Sequence, residues 1–253
     1  MLKKILFLTG TRADFGKLKS LIEIVNKCKS FQTQIFVTGM HMEKKYGYTL
    51  NEVLNCGYSN IYTFKNSSSE KTMDITLSNT IRGLSEHINK NRVDLLIVHG
   101  DRVEALAGAI VGALNNVLVG HIEGGEVSGT IDELIRHSVS KLSHLHFVAN
   151  DIARKRLLQM GELGENIFKI GSPDMDIMFS NKLPSIEKAK EKYDVFFENY
   201  SIIMFHSVTT EFENFHTYAC NLVEVILKMK ENFIVIYPNN DLGSGDILKA
   251  FLK

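Results

Sequence analysis

Three things are missing from this 253-residue chain, and each narrows what it can do. It has no excess of either charge, with 29 Lys and Arg set against 29 Asp and Glu. Nucleic-acid binding through phosphate neutralisation draws on a basic surplus, so that class of partner is not expected. It has no apolar run near the ~20 residues that span a bilayer, so no membrane partner is expected either. The opening Met1-Leu2-Lys3-Lys4-Ile5-Leu6-Phe7-Leu8 is superficially leader-like, but its apolar stretch, Ile5 to Leu8, ends at once in Thr9 and Gly10 and reads as a first buried strand. Closely spaced cysteines are missing too. Cys28, Cys56 and Cys220 lie far apart with no CxxC pair, and they read as reduced packing thiols of a cytoplasmic protein. No internal repeat is visible.

What is present is an ordinary globular composition, 44% apolar and 23% charged, which can bury a sizeable core. Short continuous apolar runs recur at Ile5–Leu8, Gln34–Val37, Leu95–Val98, Val117–Val119, His146–Ala149, Ile167–Ile170, Ile202–Phe205 and Phe233–Tyr237. Runs of this kind suit parallel strands covered on both faces. Helical patterns fall between them, over 17–27, 73–89, 102–115, 131–142, 152–160 and 218–230. The alternation predicts an α/β doubly wound fold, which binds ligands at the carboxyl ends of its strands. The predicted organisation is a Rossmann-like domain over 1–172, a connecting segment over 173–200, and the start of a second, partial domain over 201–253. The 53 residues of that last part leave room for two or three strands and one or two helices.

Polar clusters close several strands. Gly10-Thr11-Arg12-Ala13-Asp14-Phe15-Gly16-Lys17-Leu18 is neither a P-loop, since Leu18 stands where Ser or Thr would bind magnesium, nor GxGxxG. It is a glycine-bounded turn with an arginine at a helix start, suited to an anion or serving only as a strand-to-helix turn. In His99-Gly100-Asp101-Arg102, Asp101 is placed to cap a helix beginning at Arg102. In His121-Ile122-Glu123-Gly124-Gly125-Glu126, strand spacing points His121 and Glu123 the same way, and the glycines allow a backbone to approach a ligand closely. Asp132 and Arg136 share one helix face, as a surface ion pair or as part of a site. His206 closes a later strand, in a structural or a catalytic role. Five histidines fall between 99 and 146, but no HExxH or comparable spacing occurs, so no metal site is expected.

These motifs occur together, with Thr38-Gly39-Met40-His41, Arg136-His137, Gly171-Ser172-Pro173 and Tyr237-Pro238-Asn239-Asn240-Asp241, in a chain that resembles the hydrolysing UDP-N-acetylglucosamine 2-epimerase family over its whole length. Its details look closer to the UDP- or GDP-N,N′-diacetylbacillosamine members of legionaminic acid pathways. The resemblance implies a GT-B architecture of two Rossmann-like halves with the active site in the cleft between them. It implies a nucleotide-sugar substrate, neither metal nor NAD, and a homo-oligomer, dimer or tetramer. By the family's pattern Asp101, Glu123 and Asp132 are the catalytic carboxylates, while Arg12, Arg102, Arg136 and His206 bind substrate or its diphosphate. Two departures stand out. The family's His-Pro-Val-Thr reads His206-Ser207-Val208-Thr209, which loses a fixed φ beside the histidine. The family's downstream nucleotide-binding segments are also absent before Lys253. A GT-B glycosyltransferase and an inactive binding protein are the rival expectations.

Overall fold

The computed structural model describes residues 2–67, 72–129, 131–181, 183–206, 214–238 and 243–252. The chain divides into two compact units, Met1–Asn181 and Lys182–Lys253. The first begins with β1 (Lys3–Thr9), α1 (Arg12–Lys27), β2 (Phe31–Val37), α2 (Leu50–Leu54), β3 (Ile61–Thr63) and α3 (Met73–Lys90). It continues through β4 (Leu95–His99), α4 (Val103–Leu114), β5 (Leu118–Ile122), α5 (Ile131–Lys141), β6 (Leu145–Val148), α6 (Asp151–Gln159), β7 (Ile167–Lys169) and α7 (Asp174–Met178).

All seven strands are parallel, in the order β3-β2-β1-β4-β5-β6-β7. The chain winds outward from β1 in one direction and from β4 in the other, so the topological switch point lies between these two strands. That is where doubly wound proteins bind ligands. Strand alternation divides the core. Leu6, Leu8, Leu96, Val98 and Val119 pack on α3, α4 and α5, while Ile5, Phe7, Ile35, Val37 and Ile97 pack on α1 and α2. Leu6, Leu18, Ile22 and Leu84 are wholly buried, each such side chain contributing about 1.5–3 kcal/mol.

The second unit carries α8 (Ile186–Lys192), β8 (Ser201–Met204), α9 (Phe215–Met229), β9 (Phe233–Ile236) and α10 (Ser244–Phe251), with β8 and β9 paired parallel. Its buried cluster is Phe215, Ala219, Ile247 and Ala250. The segment read as a connection from 173 onward begins inside the first unit, since Ser172 and Asp174 bond side chains of that unit. α8 forms within the same segment. Thr130, the Ser207-Val208-Thr209 departure and Asn239-Asn240-Asp241 lie outside the described residues. No helix among the described residues is long and apolar enough to cross a membrane. All three cysteines are unpaired.

Candidate active site

The turn after β1 is shorter than the glycine spacing suggests. Helix α1 starts at Arg12 and takes Gly16 into its interior, because Thr11 and Asp14 form a reciprocal capping box. The Asp14 carboxylate is buried and accepts the backbone N–H groups of Gly10 at 2.9 Å, Thr11 at 2.8 Å and Phe15 at 2.7 Å. It therefore occupies donors that an external anion would otherwise use. A buried relay supports it. Thr49 donates to Nδ1 of His41 at 2.7 Å, Nε2–H of His41 donates to Thr9 at 3.0 Å, and Thr9 donates to Asp14 at 2.8 Å. Burial keeps His41 neutral by lowering its pKa. What the turn leaves outward is Arg12, exposed at the first position of α1.

Glu123 is the centre of the polar cluster. It follows β5 in a left-handed conformation, φ 59°, uncommon for a residue with a side chain. This twist overturns the strand-spacing expectation, because it sends Glu123 away from His121. Oε2 of Glu123 meets Lys17 Nζ at 2.6 Å and His99 Nε2 at 2.9 Å, and Oε1 accepts the Ser172 hydroxyl at 2.7 Å. Burial acts on this carboxyl most strongly and favours its neutral form. The hydrogen bonds from His99, Lys17 and Ser172 together outweigh burial and hold it well below the usual carboxylate range. Burial acts in the same opposing sense on Lys17, yet Glu123 and Asp174, the latter at 3.2 Å, leave its pKa raised.

His121 turns to the α5 side. Its Nε2 lies 2.8 Å from the Gly100 carbonyl, which can only accept, so the proton sits on Nε2 and Nδ1 accepts from Ser140 at 3.0 Å. Complete burial lowers its pKa to about 3, and the ring is neutral. The paired glycines allow close packing on α5 and α6. A Cβ on Gly124 would lie 2.8 Å from Nδ1 of His121, and one on Gly125 only 2.5 Å from the Ala153 carbonyl.

Asp101 does not cap α4. That helix begins at Val103 with Arg102 at its N-cap and no side-chain cap, while Asp101 forms an ion pair with Arg136. Arg136 also donates to the Glu123 carbonyl at 2.9 Å and to Ser128 at 3.2 Å, so it ties the Asp101 turn to the strained end of β5. Asp132 lies one turn before Arg136 on α5, half-buried. Arg102 Nε stands 3.7 Å from the buried Glu104. His206 follows β8 in the second unit and is exposed. Of the residues expected from the sequence, the structure thus brings together Asp101, Glu123 and Arg136. Lys17, His99 and Ser172 are the cluster members to which sequence reasoning gave no role, although each sits inside a motif it had singled out. Among the described residues no group of three or more His, Cys, Asp or Glu is placed to hold a metal ion.

A parallel sheet with its polar rim at the switch point defines a doubly wound α/β protein, and the solved structures that the chain resembles give it a GT-B-like fold. A crystal structure of the UDP-GlcNAc 2-epimerase of Neisseria meningitidis bound to UDP-GlcNAc superposes with a TM-score of 0.80 at 20% identity, over 99% of this chain and 70% of that one. The sequence model of the UDP-N-acetylglucosamine 2-epimerase family matches residues 23–253. The chain is 50% identical to a UDP-N-acetylglucosamine 2-epimerase of Neisseria meningitidis serogroup B, across 100% of its own length and 67% of the relative's. It is 32% identical to the UDP-N,N′-diacetylbacillosamine 2-epimerase (hydrolyzing) of Legionella pneumophila, across 100% of its own length and 68% of that protein's. The chain belongs to the UDP-N-acetylglucosamine 2-epimerase family, and it spans about two thirds of the length of these relatives.

Proposed function

We propose that this chain carries the catalytic part of a hydrolysing 2-epimerase acting on a nucleotide-activated N-acetylamino sugar, UDP-N-acetylglucosamine or a UDP- or GDP-linked N,N′-diacetylbacillosamine. In an anti elimination the C2–H and C1–O bonds break, releasing the nucleoside diphosphate and leaving a glycal. Water then adds, its proton going to C2 with inverted configuration and its hydroxyl to C1, which gives a free manno-configured sugar.

The observation that carries this reading is the Glu123 carboxylate, held ionised by Lys17, His99 and Ser172 and joined to the Asp101 turn through Arg136. A carboxylate with so depressed a pKa is a weak base but a strong stabiliser of the positive charge that develops at C1 in an oxocarbenium-like transition state. Asp101 and Asp132, the other two carboxylates of the family's pattern, are the candidates for proton transfer at C2. Arg12, Arg102, Arg136 and His206 are the cationic or hydrogen-bonding groups for the departing diphosphate.

The test is incubation with each of the three nucleotide sugars in D2O, followed by phosphorus and proton NMR. The expected products are free nucleoside diphosphate and a free 2-epimer carrying deuterium at C2. Sugar transfer that depends on an added acceptor would replace this reading with the glycosyltransferase. Absence of turnover with all three substrates would leave a binding protein.

A further inference from the structure

We infer that the turn after β7 is a clamp on the site, with Ser172 and Asp174 as positioning residues for Glu123 and Lys17. The inference rests on the proposed function for its catalytic consequence, but the clamp itself is geometric. Ser172 Oγ donates to Glu123 Oε1 at 2.7 Å, and Asp174 Oδ2 lies 3.2 Å from Lys17 Nζ. Two side chains two residues apart therefore grip both members of the Lys17–Glu123 pair.

The division of the carboxylate explains why this grip matters. Oε2 of Glu123 already takes two donors, Lys17 and His99. Among the described residues Oε1 takes one, Ser172, so its second lone pair is where this carboxylate can meet a sugar. Rotation about the last bond of a glutamate side chain is soft. The Ser172 hydroxyl fixes that rotation at the oxygen used. Asp174 acts on the other partner, giving the Lys17 ammonium a second anion, so that Lys17 is shared rather than drawn wholly onto Glu123. The charged and titratable groups facing the carboxylate are Lys17 from α1, His99 from β4 and Asp174 from the clamp, with Arg136 of α5 on its backbone carbonyl. Ser172 is the one donor of the three that does not titrate, so its removal alters geometry without changing the formal charge of the site.

The experiment compares Ser172→Ala, Ser172→Thr and Asp174→Asn by steady-state kinetics and by the side-chain carboxyl resonance of Glu123 in 13C-glutamate-labelled, ligand-free protein. Ser172→Ala is expected to move that resonance and to lower kcat roughly tenfold or more, the scale of one hydrogen bond to a charged group, with KM changed by less than about twofold. Ser172→Thr keeps the hydroxyl and should restore most of both. Asp174→Asn should lower kcat by a smaller factor and move the resonance less. An unmoved resonance in Ser172→Ala overturns the clamp, and a moved resonance with unchanged kcat overturns its positioning role. The resonance is read without substrate. A wild-type chain that turned nothing over would therefore count against the proposed function, while the clamp would stand or fall on the resonance. Should Ser172→Ala fail to fold, Ser172→Thr and Asp174→Asn carry the same two readouts.

Discussion

The two units of this chain differ in how much of their polar chemistry is held by their own structure. In the first, seven parallel strands are packed on two faces, and the Asp14 cap and the Glu123 cluster are held by partners of the same unit. In the second, the described residues carry two parallel strands, β8 and β9, with the helices α8, α9 and α10. Ile202 and Met204 of β8 are 63% and 65% exposed. The reacting groups proposed for catalysis sit on the first unit, and His206 sits on the second. Rigid placement is what acid–base and electrostatic catalysis require.

The largest effect should come from adding to the second unit. Joining the remaining third of the Neisseria meningitidis serogroup B relative to this chain should tighten UDP binding and raise turnover, lifting kcat/KM by roughly three orders of magnitude or more, about 1.4 kcal/mol for each tenfold. Binding energy from the nucleotide positions the reacting sugar, so kcat should rise along with affinity. Calorimetry and turnover on the two chains decide it, and equal values for both would show that the second unit suffices as it stands. Next in size, Asp101→Asn, Glu123→Gln and Asp132→Asn should each lower turnover by roughly a hundredfold or more. Their circular dichroism should stay native. A folded Glu123→Gln with near-full activity would remove Glu123 from the mechanism.

Where periodicity ran over many residues, the sequence was easy to read. The helices over 73–90 and 103–114 and the strands over 95–99 and 233–236 fall within a residue or two of expectation. The β3 strand was invisible because three residues at a sheet edge carry no period. α1 was placed five residues late because the Thr11–Asp14 capping box was read as part of a glycine turn. In the candidate cluster, Asp101, Glu123 and Arg136 stood out from their motifs, but Lys17, His99 and Ser172 as partners of Glu123 did not. No spacing rule brings Lys17, Ser172 and Glu123 together, for they lie far apart in the chain and are joined only by the order of strands in the sheet. The left-handed Glu123 was hidden for the same reason, since local pattern predicts a strand direction and the turn at 123 departs from it.

Acid should separate the two units by a smaller margin. His41, His87, His121 and His146, all in the first unit, are buried, and burial lowers the pKa of each. A histidine with a depressed folded pKa binds its proton more readily when unfolded, so stability rises with pH through the window between the two pKa values. For His121 that window runs from about 3 in the folded protein to about 6.5 unfolded. The melting temperature of the first unit should fall steadily below about pH 6.5. Glu123 adds to the fall only at the acid end, as pH drops through its unfolded value of about 4.3 and below. Substituting His121 by Gln should flatten the upper part of the slope. A variant with the wild-type slope would assign the acid response to other groups.

The smallest effect, at Ile202, tests the packing contrast itself. Leu18 on α1 is wholly buried, so Leu18→Ala should cost the first unit about 2–5 kcal/mol through lost transfer energy and the cavity left behind. Ile202 on β8 is largely exposed, and Ile202→Ala should change stability by no more than about 0.5 kcal/mol. Both follow from denaturant unfolding read by hydrogen exchange, which reports each unit separately. The informative result is the second. If Ile202→Ala proved nearly as damaging as Leu18→Ala, the outer face of β8 would have to be covered in solution, by another copy of the chain or by a segment of it. The second unit would then be as fully packed as the first. If the effect is small on this chain but grows on the chain extended with the Neisseria meningitidis serogroup B segment, the added residues are what cover that face, and the expected gains in affinity and turnover would share one physical cause.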